Sequence, residues 1–117
     1  MADNVMLTSG HVMNMEPPLV PLVAQGAGHW VPKGSPDAAI QVTLTTSTGN
    51  GSATVNIEVS NDGVNPCATV AGTITFASAT CPQADGLATQ NASWKYVRLN
   101  VTALAGTGAA VNGTIGI

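Results

Sequence analysis

The 117 residues, 11.7 kDa, are enough for one domain with a modest core. Charged residues make up 8% of the chain, with six acids and three bases for a net charge of -3. Lys33, Lys95 and Arg98 are too few to line a phosphate backbone, which excludes nonspecific nucleic-acid binding.

At 44% hydrophobic, the chain is too apolar for a disordered polymer. Its most apolar stretch, Pro17 to Ala24, is short and broken by Pro17, Pro18 and Pro21. A helical span needs about 20 apolar residues, so no membrane partner is expected. The start, Met1-Ala2-Asp3-Asn4, has neither a basic stretch nor an apolar run behind it, and cytoplasmic synthesis is the expectation. The sequons at Asn50, Asn91, Asn100 and Asn112 then read as a by-product of an Asn- and Thr-rich composition.

Residues 1–37 have a texture of their own. They hold five of the seven prolines, all four methionines and both histidines. Short strand signals occur at Val5–Thr8, Val12–Met15 and His29–Val31. Each proline removes a backbone donor and biases its predecessor toward extended geometry. Two readings stand: an extended N-terminal arm that packs on a neighbour, or an edge strand and long loop on the chain's own sheet. The arm reading makes Met6, Leu7, Val12, Met13, Leu19, Val20, Leu22 and Val23 the contact residues for a sister subunit or a capsid. Such side chains need shelter, because each buried Leu or Val is worth roughly 1.5–3 kcal/mol.

From Ala38 the pattern changes, and residues 38–117 are expected to form the β domain. Ile40–Thr45 and Val55–Ser60 alternate apolar and polar, the period of a half-buried strand. Between them, Thr48–Ser52 is a turn cluster containing Asn-Gly. Asn61-Asp62-Gly63 closes the second strand with residues that tolerate left-handed backbone. Val70–Phe76 predicts a third strand, with Ile74 and Phe76 on one face and Thr73 and Thr75 on the other. Ala77–Gln90 reads as a small-residue loop. Trp94–Val101 predicts the longest strand, with Val97, Leu99 and Val101 opposed to Tyr96, Arg98 and Asn100. Thr102–Gly108 reads as a turn and Ala109–Ile117 as a closing strand. Short strands with Gly, Pro and Asn turns predict an all-β fold. A small antiparallel β-sandwich, jelly-roll-like in one form, comes first. A single sheet completed by a partner subunit is the second reading.

Signals for chemistry are scarce. His11 and His29 have no set of three or four ligands around them, as zinc requires. The acids are scattered, with no nucleophile elbow and no phosphate loop ahead of a helix. The sequence therefore predicts no catalytic residues, no metal and no cofactor. Cys67 and Cys81 flank the Val70–Phe76 strand, and they read either as a disulfide across the two loops or as two inert thiols. Trp94 and Tyr96 read as packing residues or, if exposed, as a stacking surface for a sugar.

Val59-Ser60-Asn61-Asp62-Gly63-Val64-Asn65, with the Trp94–Ala109 run that begins Trp-Lys-Tyr-Val-Arg, resembles small virion proteins of tailed bacteriophages, head decoration (cement) proteins among them. The resemblance covers residues 40–117. It implies a non-enzymatic structural protein of the virion that binds the major capsid protein between capsomers. It also implies a homo-oligomer, with a trimer preferred. A glycan- or receptor-binding module of a tail or fibre is the alternative. Sugar-binding sandwiches that share the Ser-Asn-Asp-Gly turn place an aromatic soon after it, where this chain has Pro66.

Overall fold

The computed structural model describes residues 12–16, 21–33, 37–68, 70–89 and 94–116. Among them there is no helix. The described strands are β1 (Val12–Asn14), β2 (Gly26–Ala27), β3 (Val31–Pro32), β4 (Ala38–Thr45), β5 (Asn50–Ser60), β6 (Gly72–Thr80), β7 (Gln83–Thr89), β8 (Tyr96–Ala105) and β9 (Ala110–Gly116).

They form two sheets. Sheet A has the order β1-β9-β4-β7; sheet B has β2-β8-β5-β6, with β3 also on β8. Every pair is antiparallel. The pairing is nested: β5 with β6 innermost, then β4 with β7, β2 and β3 with β8, and β1 with β9 outermost. That is one long antiparallel ribbon rolled over on itself, the wrap of a two-sheet jelly roll.

Alternation in the sequence decides which side chains meet between the sheets. Ile40, Val42 and Leu44 of β4 are buried while Ala39 and Gln41 are exposed. Val55, Ile57 and Val59 of β5 face Val97, Leu99 and Val101 of β8 on the same inner side. Phe76 is the one aromatic ring of the core. Two glycines let the sheets close up. A Cβ on Gly113 of sheet A would lie 2.7 Å from Leu99 Cδ1 of sheet B. A Cβ on Gly72 of sheet B would lie 2.7 Å from Leu87 Cδ2 of sheet A. Each glycine is thus the hole that admits a leucine from across the core.

Three expectations are corrected. The predicted loop Ala77–Gln90 holds the end of β6 and all of β7. Strand β7 lacks a β-branched run, but its backbone pairs along β4 from Ala38↔Thr89 to Leu44↔Gln83. Residues Thr102–Ala105 of the predicted turn continue β8, displaced by a register shift opposite Thr54 and Val55. Asn50–Ser52 of the predicted turn cluster begin β5.

The boundary at residue 37 does not separate an arm from the domain among the described residues. Strand β1 pairs with β9, while β2 and β3 pair with β8. Met15 is fully buried in the core, and its amide donates to Gly113 O at 2.9 Å. Leu22 exchanges two 2.8 Å backbone bonds with Val111. The edge-strand reading describes these residues, and the reason is backbone pairing. The ladder from Val12↔Gly116 to Asn14↔Thr114 and the Leu22↔Val111 bridge lie on the same β9 edge, five residues out of register with each other. The expected strand Val5–Thr8 lies outside the described residues.

Candidate functional site: two contrasting sheet faces

The outer face of sheet B is a polar tile. Glu58 on β5 stands opposite Arg98 on β8. Arg98 Nε donates to Glu58 Oε1 at 2.7 Å, and Asn100 Nδ2 donates to Oε2 at 2.8 Å. The Arg98 guanidinium lies 4.3 Å over the Trp30 ring centroid, a cation–π contact that the chain order alone would not reveal. Thr73 Oγ1 donates to Asn56 Oδ1 at 2.9 Å on the neighbouring strands. These groups satisfy one another, which makes the tile rigid.

At one end of the tile the loop after β5 is built around Asp62. Its Oδ1 accepts from Ser60 Oγ at 2.7 Å and from the amides of Val64 and Asn65 at 2.8 Å each. Its Oδ2 accepts from Asn65 Nδ2 at 3.0 Å. Ser60 Oγ accepts in turn from the Asp62 and Gly63 amides. Gly63 has φ +69°, and its Cα faces the Tyr96 ring. The turn chemistry read from the sequence is therefore real, and it is held to β8 by the Lys95 amide donating to Asn61 Oδ1 at 3.1 Å.

The backbone amides of Asn65 and Val64 hold the exposed Asp62 carboxyl well below its usual range. A depressed value means that the loop's closure is fully present above the ordinary carboxylate value and is lost only as pH falls through the lower one. In a carbon-detected acid titration, the Asp62 carboxyl should stay ionised at a pH where the aspartate of an unstructured peptide is already protonated. An Asp62 titrating in step with free aspartate would contradict the bonding just described.

The outer face of sheet A is different. By alternation it presents Ala39, Gln41 and Thr43 from β4, Ala84, Gly86 and Ala88 from β7, and Asn112, Thr114 and Gly116 from β9. None of these nine residues is charged, and no bulky side chain rises from them.

Of the residues expected to contact a neighbour, Val12 and Met13 have their backbones paired with β9 of the same chain. Leu22 packs against the chain's own core, a correction that follows from its bridge to Val111. Val23 is 69% exposed. Met6, Leu7, Leu19 and Val20 lie outside the described residues. Trp94 precedes β8 and is 36% exposed, so the packing reading accounts for only part of its surface.

The disulfide reading of Cys67 and Cys81 is corrected. Both are thiols, half-buried against the core. The Cys67 amide donates to Val59 O and the Cys81 amide to Gly49 O. These carbonyls lie at opposite ends of β5, about 30 Å apart at roughly 3.3 Å per strand residue. A disulfide needs its Cα atoms within about 7 Å. Strand β6 pairs along β5 between the two cysteines instead of bending back. Thiol titration of the denatured, unreduced protein should return two thiols per chain; a value near zero would contradict this placement.

Sequence reasoning missed one group. Glu16 is buried, and its Oε2 has no hydrogen-bond partner among the described residues. The chain separates it from His29 by twelve residues, but the fold sets the two together. Among the described residues, no three His, Cys, Asp or Glu side chains gather where they could hold a metal ion.

The architecture is that of a small two-sheet jelly-roll domain. No protein-family model matches the chain, and no curated protein matches it. In fold it is similar to the crystal structure of the SPBc2 prophage-derived protein YomS, with a TM-score of 0.59 over 96% of this chain and 97% of that one. The two are 12% identical, so the likeness is one of fold.

Proposed function

We propose that the chain is a structural virion protein of a tailed bacteriophage. In this reading it is a head decoration (cement) subunit that docks on the major capsid protein as a homo-oligomer, a trimer being the expected form. The observation that carries this reading is the uncharged, low outer face of sheet A. Repeated docking on a capsid lattice favours a flat surface with no charge to desolvate. The likeness of fold to a prophage-derived protein over nearly the whole chain supports a phage origin. The proposal needs no catalytic residue, metal or cofactor.

The test is cosedimentation with heads of the phage that encodes the chain. Gln41→Glu with Ala88→Glu places two charges on the face without touching the core. Loss of head binding with an unchanged circular dichroism spectrum supports the reading. Full binding by the double variant overturns it.

A second reading, a glycan-binding module of a tail or fibre, is favoured by one observation. Trp94 is partly exposed beside the Asp62 loop, and the rigid polar tile begins at Tyr96. Glycan-array binding that is lost in Trp94→Ala would select this second reading.

A further inference from the structure

We propose that Glu16 is a pH-operated latch: it ties the Val12–Glu16 edge across the two sheets and lets that edge go when its carboxyl loses its proton.

The geometry carries the proposal. Glu16 directly follows the edge strand β1, and its neighbour Met15 is bonded to Gly113 on β9 of sheet A. Its carboxyl lies against Gly28, whose amide donates to Leu99 O on β8 of sheet B. One side chain thus spans an edge of each sheet. The fit depends on Gly28 lacking a side chain. A Cβ there would come 2.6 Å from Glu16 Cδ and closer still to Oε2. Glu16 is 2% exposed, and its Oε2 is the buried side-chain oxygen without a partner among the described residues. An ionised carboxylate in that position leaves a charge-bearing oxygen with neither water nor a donor, which is costly. A protonated carboxyl does not carry that penalty.

Besides Glu16, the edge is held by the Met15 side chain in the core and by pairing along a single strand. Strand β1 has three residues and one described neighbour, β9, and the Leu22↔Val111 bridge lies in a different register. Releasing Val12–Glu16 would bare the β9 edge at Gly113–Gly116 while β4, β5 and β8 keep their pairs.

Burial raises the Glu16 carboxyl above its ordinary 4.5; the His29 backbone amide and the His29 charge pull the other way and do not offset it. His29, between β2 and β3, is the titratable group named against Glu16. Gly113 on β9 and Leu99 on β8, which hold its neighbours, carry no charge. A raised value means that the closed form binds the proton more tightly than the open one. Closure is therefore strongest below the ordinary carboxylate value and weakens as pH rises through the raised one. Within that window the ratio of open to closed grows by up to tenfold per pH unit.

Hydrogen exchange of the full chain, read residue by residue by NMR across roughly pH 5 to 9 and corrected for intrinsic rates, tests this. The Met15 amide, bonded to Gly113 O, should lose protection by up to about tenfold per unit through the window. Glu16→Gln keeps the shape and removes the ionisation, so its Met15 protection should be flat. Gly28→Ala displaces the carboxyl and should leave Met15 weakly protected even in acid. Equal slopes in the wild type and Glu16→Gln would overturn the latch. So would a Met15 amide that exchanges only together with Ile57 and Leu99, because opening would then be global unfolding. Should Glu16→Gln fail to fold, a wild-type Met15 protection that does not fall with pH overturns it alone.

Discussion

Met15→Ala is expected to remove about 2–5 kcal/mol of unfolding free energy. Met15 is fully buried, and its sulfur lies beside Gly113, against the position where Leu99 enters from the other sheet. Truncation leaves a cavity between the sheets that neither backbone can close, because both are held by ladders on each side. A domain of this size has a total stability of roughly 5–15 kcal/mol, so the loss is a large share of it. Urea unfolding at fixed pH reads it as a lower midpoint with an unchanged slope. A loss under about 0.5 kcal/mol, the range of ordinary surface substitutions, would show that the Met15 side chain does not pack as a core residue. Truncation of residues 1–25 tests the same packing. If that segment were only an arm, its removal would leave a domain of unaltered stability. With Met15 in the core and β1 and Leu22 on β9, removal should destabilise the whole sandwich.

The second large effect is expected at Gly113. Its Cβ position is 2.7 Å from Leu99 Cδ1 and 3.2 Å from Met15 Sδ. Even alanine forces one of two fully buried side chains to move, and overpacking of this kind costs about 1–3 kcal/mol. Gly113→Val, with two further methyl groups, should exceed the alanine cost and lower the folded fraction seen by circular dichroism further than Gly113→Ala does. The double variant Gly113→Ala with Leu99→Val separates overpacking from any backbone effect. If the Leu99 methyl is what the new Cβ strikes, the two substitutions should be markedly non-additive and the pair more stable than their sum. Strict additivity would mean that the glycine is needed for its backbone instead.

Much of sheet B was legible before any fold was known. The alternation of Val55, Ile57 and Val59, and of Val97, Leu99 and Val101, names the buried face correctly. A strand's side chains alternate whatever it pairs with, so that signal is local. The Ser60–Asn65 turn was legible for the same reason, since Asp62 bonds to groups within three residues of itself. Strand β7 was not legible. Gln83–Thr89 has little side-chain preference for extended structure and is a strand because β4 supplies its backbone partners. Nor was the Trp30–Arg98–Glu58–Asn100 cluster, whose members come from three separate parts of the chain.

The amino-acid sequence by itself determined an all-β domain, the inward faces of its long strands, its low charge and the Asp62 turn. Each follows from composition or from contacts within a few residues. The tertiary structure alone decided the nested strand pairing, the union of β1, β2 and β3 with the sandwich, the distance between Cys67 and Cys81, and the burial of Glu16 against Gly28. These depend on which backbone edges meet. Backbone hydrogen bonds are the same for every residue but proline, so the order of side chains does not spell out the partner.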